Sequence, residues 1–169
     1  TMTASSIDAD TGADTNLTIT YSSSDTAVVS IVSGNQLKIE GAGTATITAS
    51  QGGNVDTGGR YNAATSVTKT VTIGKASQSI VTSAGATTLP NLTKDNGDFP
   101  FVPAVKSVDG SGADTGLTLT YSSSNTAVID VNGINLEPKG VGTATITVSQ
   151  PGDTNYDAAT SKTFSITVT

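Results

Sequence analysis

Apolar and polar residues alternate with a period of two along several short stretches of the chain. In the first of these, Leu17, Ile19 and Tyr21 share one face, and Thr18 and Thr20 share the other. Alternation of this kind is typical of antiparallel strands that bury one face and expose the other to water. Apolar residues nowhere recur at helical spacing, so the pattern predicts strands and no helix. The same alternation recurs at 44–49, 70–73 and 164–168.

Two long parts of the chain are near-copies of each other. Thr11–Val28 and Ser111–Val128 differ at only four aligned positions. A second block, Gly41–Gln51, matches Gly140–Gln150 in the same order along the chain. The differences in length between the copies fall in loops that are rich in Gly, Asn and Asp. Because insertions confined to loops leave the strands in place, the sequence predicts two tandem copies of one fold.

The junction between the two copies is short. The last strand of the first copy leads through Gly74 alone into Lys75, where the second copy starts. We therefore predict one domain at residues 1–74 and a second at residues 75–169. A connection this short predicts a stiff, end-to-end arrangement of the two domains.

The second copy carries the strands of a complete sandwich. Asn132-Gly133 is a strong hairpin signal, because these residue types tolerate the positive φ that tight turns require. Pro100 and Pro103 indicate an edge or bulged start for their strand, and Pro138 ends its strand, since proline cannot donate a ladder hydrogen bond. Seven strands are predicted, the number in an immunoglobulin-like sandwich. They are Ser77–Val81, Phe101–Val108, Leu117–Ser123, Ala127–Val131, Ile134–Glu137, Thr143–Gln150 and Thr163–Thr169.

The first copy is shorter at its front. Met2–Ile7 is expected to take the place of Phe101–Val108, but nothing precedes it that matches Ser77–Val81. The predicted fold class is therefore all-β, with two tandem immunoglobulin-like β-sandwiches, of which the first lacks its opening strand. Two explanations stay open. Either the chain is an excerpt from a longer array, or a neighbouring molecule supplies the missing strand by β-augmentation.

Three motifs of the second copy resemble a known family. Tyr121–Val128 (YSSSNTAV), Gly140–Thr147 (GVGTATIT) and Asn155–Thr160 (NYDAAT) are similar to motifs of the bacterial Ig-like repeats of group 2. Those repeats are common in intimin- and invasin-like adhesins and in other large exported proteins. The first copy departs from the pattern, with Arg60-Tyr61 at the third motif. The resemblance implies an exported spacer or adhesive module, and modules of this kind also occur in enzymes and on phage virions.

Composition and charge narrow the function classes. Only 4% of residues are aromatic and 13% are charged, so each core must be thin and aliphatic. The net charge of −6, without any cluster of Lys and Arg, argues against nucleic-acid binding. No apolar run approaches the roughly 18 residues that span a bilayer, so membrane insertion is not expected. The absence of Cys fits a bacterial exported protein. The resemblance to Ig-like repeats implies the cell surface or a virion surface as its location.

The residue types also bear on catalysis. The chain has no His and no Cys, which excludes Ser–His–Asp, Cys–His and zinc constellations. Glu40 and Glu137 are the only glutamates. We take them as equivalent positions in different copies, which places them too far apart for a glycosidase pair. The sequence predicts no enzyme and no catalytic residue.

Two acidic loops leave calcium as one open cofactor question. Asp8, Asp10 and Asp14 lie in the first loop, and Asp109 and Asp114 lie in its counterpart. Carboxylates on a glycine-bearing loop are suitable Ca²⁺ ligands, although the spacing is not that of an EF-hand. Asp and Gly are equally what an exposed turn uses. The prediction is no cofactor, with Ca²⁺ as the alternative to test.

These observations favour a structural, non-catalytic spacer in an extracellular surface protein or adhesin. Its expected partners are neighbouring Ig-like repeats of the same protein or adjacent subunits. One alternative is a module that binds a glycan or a host-surface receptor through the loop Gln51–Tyr61, although few aromatic residues are available for a sugar site. Another is a subunit of an extracellular filament or phage virion that strand donation completes.

Overall fold

The computed structural model of the chain describes residues 1–54, 59–82, 88–94 and 100–169. These residues form strands, turns and loops, and no helix occurs among them. The all-β prediction is therefore confirmed, and the layers are those of an immunoglobulin-like sandwich. The chain divides into two compact units, Thr1–Lys75 and Ala76–Thr169.

The first unit contains five strands within its described residues. Strand β4 lies between β1 and β5 in an antiparallel sheet, and β2 and β3 form a separate hairpin. The strand bounds are β1 Thr20–Ser23, β2 Val29–Val32, β3 Gln36–Ile39, β4 Gly43–Gln51 and β5 Ala64–Ile73. The unit thus has no strand ahead of β1, in agreement with the predicted loss of the opening strand.

The second unit contains seven strands in its described residues. Five of them form a sheet in the order β7-β6-β12-β11-β8, and β9 and β10 form a hairpin. All named pairs are antiparallel except β6 with β12, which run parallel. The bounds are β6 Gln78–Thr82, β7 Val105–Asp109, β8 Thr120–Ser123, β9 Ile129–Asn132, β10 Asn135–Pro138, β11 Gly142–Gln150 and β12 Ala159–Val168.

The core of the second unit lies between the β9–β10 hairpin and the five-stranded sheet. Ile129 and Leu136 of the hairpin are completely buried, as are Ile146 of β11 and Ile166 of β12. Phe164 of β12 packs in the same cluster. Alternate residues of β11 and β12 point into this core, so the period-two pattern of the sequence is the pattern of burial.

The core of the first unit is much smaller. Four residues form its described buried cluster, namely Val28, Val29, Ala45 and Ile47, whereas fourteen residues form the cluster of the second unit. Strand β5 shows the difference directly, because none of its described residues is buried. The two units share a strand plan but do not bury equal amounts of apolar surface.

The segment Met2–Ile7 is not a strand, which corrects the prediction that it replaces Phe101–Val108. The Met2 amide donates to the carbonyl of Asn35 (2.8 Å), and Ile7 makes only an isolated bridge to Asp14. A strand needs a neighbour for its ladder hydrogen bonds. In the second unit β6 supplies that neighbour to β7, and the first unit has no counterpart of β6 among its described residues.

Several predicted boundaries also shift, and the predicted strand Leu117–Ser123 begins only at Thr120. The segment Phe101–Val108 becomes a strand only from Val105, because Pro103 interrupts the ladder, and Phe101 makes an isolated bridge to Leu136. The last strand starts at Ala159 rather than Thr163, because its Ser and Thr residues continue the ladder on β11. The hairpin turn consists of Gly133 and Ile134, one residue later than predicted. Gly133 alone takes a positive φ there (64°).

A pair of leucine variants tests the inequality of the two cores. Leu136→Ala removes a completely buried side chain, and we expect it to lower the free energy of unfolding of the second unit by about 2–5 kcal/mol. Leu37, its half-buried counterpart in the first unit, should cost about half as much or less when changed to Ala, since less surface is exposed. Urea titrations followed by NMR signals of each unit measure both, and equal losses would contradict the described cores.

Candidate functional site

One edge of the sheet in the first unit is open. Strand β12 of the second unit pairs with β11 on one side and with β6 on the other. Its counterpart β5 pairs with β4 in the same register, and within the described residues no strand lies along its other edge. The open edge leaves backbone N–H and C=O groups of β5 facing water, which is the usual template for adding a strand.

An apolar groove of about 370 Å³ lies beside this edge. We call it the open groove. Its walls come from the segment before β1, from β4 and from β5. Val67 of β5 faces it with 70% of its surface exposed. The main apolar lining residues are Met2, Ile19, Tyr21, Ile47, Ala49 and Val67.

The corresponding space in the second unit is filled. Ile80 of β6 and the following Leu89 and Leu92 belong to the buried cluster there. Phe164 lies opposite Ile146 in that unit. In the first unit the residue opposite Ile47 is Lys69, so a charged side chain stands where the second unit has a phenylalanine. The open groove is therefore the uncovered half of a sandwich core, with one polar substitution in its wall.

The loop that follows β4 and its counterpart after β11 have the same two hydrogen bonds. The Asn54 amide donates to the Tyr61 carbonyl (2.8 Å), as the Asp153 amide does to the Tyr156 carbonyl (3.0 Å). Each Tyr amide in turn donates to the side-chain Oδ1 of its partner at 2.8 Å. Residues 55–58 of the predicted binding loop Gln51–Tyr61 lie outside the described residues.

Three polar side chains meet at the end of the first unit. Arg60 Nη2 donates to Tyr61 Oη (3.1 Å), and the guanidinium carbon lies 5.3 Å from the tyrosine ring centroid. Backbone N–H groups of Thr11 and Asp10, with a smaller contribution from Tyr61, lower the pKa of Asp8. A cavity of about 620 Å³ lies against these residues. Sequence reasoning missed this grouping, because about fifty positions separate Asp8 from the other two and no motif links them.

The carboxylates considered as calcium ligands build the turns of their own loops. Asp8 Oδ1 accepts from the amides of Asp10 (2.9 Å) and Thr11 (3.0 Å). Asp109 Oδ1 accepts from the Ser111 amide (2.8 Å), the Ser111 hydroxyl (2.6 Å) and the Ala113 amide (3.0 Å). The described part of the chain brings no three His, Cys, Asp or Glu side chains together in a way that could hold a metal.

Two of the remaining three aspartates do the same, whereas Asp10 contributes its backbone amide to the Asp8 turn. Asp14 Oδ1 accepts from the Asn16 amide (2.8 Å), and Asp114 Oδ1 accepts from the Gly116 amide (2.9 Å). Each bond reaches two residues ahead, as in an Asx turn. Asp8, Asp14, Asp109 and Asp114 therefore each have a structural role in their own loop.

The two glutamates are not equivalent positions, which corrects the sequence alignment. Strand register places Glu137 opposite Asp130 in the hairpin, where the first unit has Lys38 opposite Ser30. The ion pair is thus reversed between the units. Lys38 Nζ contacts Glu40 at 2.8 Å, and Lys139 Nζ contacts Glu137 at 2.8 Å. Both glutamates lie in exposed hairpin pairs of separate units and share no site.

Comparisons with known proteins give little further information. No protein-family model matches the chain, and no curated protein matches it. Similar solved structures include the surface layer protein SbsC, domains 1–6, with 13% identity, a TM-score of 0.37, and coverage of 89% of this chain and 20% of that one. Another is the S-layer protein rSbsC(31-844), with 13% identity, a TM-score of 0.38, and coverage of 94% and 21%.

The chain spans about a fifth of the length of these surface layer proteins. A likeness at this identity and TM-score establishes neither a shared fold nor a shared role. No helix among the described residues is long and apolar enough to cross a membrane.

The Asp109 turn predicts an acid-dependent loss of stability in the second unit. Hydrogen bonds from the Ser111 side chain and then its amide hold the pKa of Asp109 below the ordinary value in the folded state. A carboxylate with a lowered folded pKa stabilises the fold above its unfolded pKa, and this contribution disappears as the pH falls through the folded pKa. Unfolding measured from pH 6 down to about pH 2 should show less acid loss in Asp109→Asn, which keeps an acceptor oxygen but cannot ionise. Identical acid profiles would contradict this role.

A calcium titration tests the loops themselves. Because the Asp oxygens already accept backbone hydrogen bonds, we expect no rise in melting temperature at about 1 mM Ca²⁺, the range in which extracellular modules bind this ion. Differential scanning fluorimetry with Mg²⁺ as the control makes the measurement. A Ca²⁺-specific rise that Asp109→Ala or Asp8→Ala abolishes would establish the site.

Proposed function

We propose that the chain is a non-catalytic structural module, a pair of Ig-like repeats within an extracellular surface protein. The proposal includes membership of the bacterial Ig-like repeats of group 2, from the three motifs that resemble them. One observation carries it. The same arrangement of five strands is built twice in one chain, as β1–β5 and as β8–β12, and the near-identical segments contribute to these strands and their turns.

The repeated motif TYSSS-D/N-TAV supports a structural role for those residues. The Ser24 hydroxyl oxygen accepts the Thr46 amide (2.9 Å), and Ser124 accepts the Thr145 amide at the same distance. One residue further on, Asp25 Oδ1 accepts the Ala27 amide (2.9 Å), as its counterpart Asn125 does with the Ala127 amide (3.1 Å). These polar side chains fix the backbone where one strand ends and the next begins. Their hydrogen-bonding groups therefore serve to stabilise the fold.

The glycine shared by both loops after the long strand supports the same conclusion. Gly53 and Gly152 have φ values of 73° and 81°. A Cβ at Gly152 would come within 2.4 Å of the Tyr156 carbonyl oxygen. The third motif therefore needs a glycine for close backbone approach, and it needs Tyr156 as part of a packed loop.

Strand donation within a filament or virion is the second candidate, and the open edge of β5 favours it. A subunit that lacks an opening strand completes its core only when a strand from elsewhere covers the groove. A glycan or receptor site at the Arg60–Tyr61 end of the first unit has weaker support, because only Tyr61 offers an aromatic face there.

Surface labelling tests the proposed location. Antibodies raised against the chain should stain intact cells of the organism that encodes it, and brief protease treatment of those cells should remove the signal. A cytosolic protein of the same cells should stay intact as the control. Staining that appears only after permeabilisation would contradict the proposal, whereas label on particles in the culture supernatant would favour the virion candidate.

A further inference from the structure

The second unit shows what covers the surface that the first unit leaves open. Strand β6 runs parallel to β12, with Ser79 opposite Thr160. Strand β5 pairs with β4 in the same register as β12 pairs with β11. In this alignment Thr65 is the counterpart of Thr160. The first unit has the receiving strand in place and carries no described strand beside it. The internal duplication thus supplies both the shape of the site and the pattern of its occupant.

A polar socket for the occupant is conserved between the units. In the second unit, the Ser107 hydroxyl donates to the Gln78 side-chain oxygen, and the Gln78 amide group donates to Gln150 Oε1 and to the carbonyl of Asp157 (2.7 Å). Ser107 and Gln150 are both buried, so they orient Gln78 at the start of β6.

The first unit retains the same three positions as Ser6, Gln51 and Asn62. The Ser6 carbonyl accepts the Thr15 amide (2.8 Å), as the Ser107 carbonyl accepts that of Thr115. Gln51 is 7% exposed, and its Oε1 accepts a long hydrogen bond, 3.3 Å, from the Ala64 amide. Asn62 follows Tyr61 as Asp157 follows Tyr156. A buried glutamine at the end of an apolar groove is the arrangement that receives Gln78 in the second unit.

We propose that the open groove binds an extended partner strand with the pattern of Gln78–Thr82. The strand lies parallel to β5, places a glutamine between Ser6, Gln51 and Asn62, and inserts an aliphatic side chain at the position of Ile80. This inference does not depend on the cell-surface role proposed above, because it follows from the comparison of the two units alone.

The occupant carries the pattern of β6 but is not β6 of a second copy. Ile80 is 5% exposed, and Gln78 is engaged by three groups of its own unit. To donate β6, a second copy would expose the core of its complete sandwich, which costs about what the acceptor gains. A small apolar ligand would fill the groove but leave the backbone of β5 without partners. A strand satisfies both requirements.

Lys69 sets the strength of the interaction. It occupies the place of Phe164 and lines the open groove. Its aliphatic stem can lie along the groove with the ammonium in water. The partner strand therefore meets a more polar wall than β6 does in the second unit, which suits a strand that binds from outside the unit.

An extended version of the full chain tests the proposal. A copy of residues 76–101 is placed directly before Thr1, because the alignment of Ser6 with Ser107 puts Thr1 at the position of Val102. A tethered strand acts at a high effective concentration, so weak binding is detected. We expect the amides of β5 to exchange with solvent at least about tenfold more slowly than in the unextended chain. Cross-strand NOEs should join the added Ser79 to Thr65 in parallel orientation.

The matched control carries Ile80→Asp and Gln78→Ala in the added copy only. It should leave β5 exchange as in the unextended chain. Lys69→Phe should increase the slowing that the unaltered copy produces, because it restores the wall of the second unit. Equal exchange with and without the extension, equal slowing by the control, or antiparallel NOEs would each overturn the proposal.

Sedimentation of the unextended chain tests whether a second copy of the chain fills the open groove. We expect a monomer across the accessible concentrations. A concentration-dependent dimer with slowed exchange in β5 would show that a second copy fills the groove, and it would contradict the proposed occupant.

Discussion

An uncovered sheet face with an unpaired edge is the constraint on which this structure depends. Each strand of a sandwich needs a backbone neighbour for its ladder and a facing layer for its apolar side chains. Strand β6 supplies both to β12, and the residues around it are buried. Strand β5 has the same period-two alternation without that cover, with Val67 and Lys69 at the positions of Lys162 and Phe164, and none of its residues is buried. The contrast between the units is therefore a contrast of cover and not of strand-forming tendency.

Period-two alternation predicted the long strands because the pattern is local. Residues 44–49 and 143–148 carry their own alternation and lie in strands that are paired on both edges. Met2–Ile7 was wrong as a strand because its state depends on a partner that the local sequence does not contain. The start of β12 was missed for the related reason that Ser and Thr residues carry no apolar signal, although pairing with β11 continues through them.

The candidate site was less predictable than the fold. The sequence indicated a missing strand, but it could not show that Ser6 and Gln51 preserve the socket of Gln78, since the two lie 45 positions apart. The glutamate correction has a similar origin. Lys38–Glu40 and Glu137–Lys139 look like shared positions until the hairpin registers are compared, which shows the reversed order of charges. Relations of this kind depend on register across strands and not on spacing along the chain.

Polar chemistry in this molecule serves mainly to shape backbone. Asp and Asn side chains cap their own turns, Ser24 and Ser124 join neighbouring strands, and an exposed ion pair lies along one side of each hairpin. The measurement closest to the central claim is hydrogen exchange resolved by strand in the unmodified chain. Because β6 pairs with β12 and nothing described pairs with the same edge of β5, we expect the amides of β12 to exchange far more slowly than those of β5. The exchange rates of β4 and β11 should differ less. Equal protection of β5 and β12 would contradict the account.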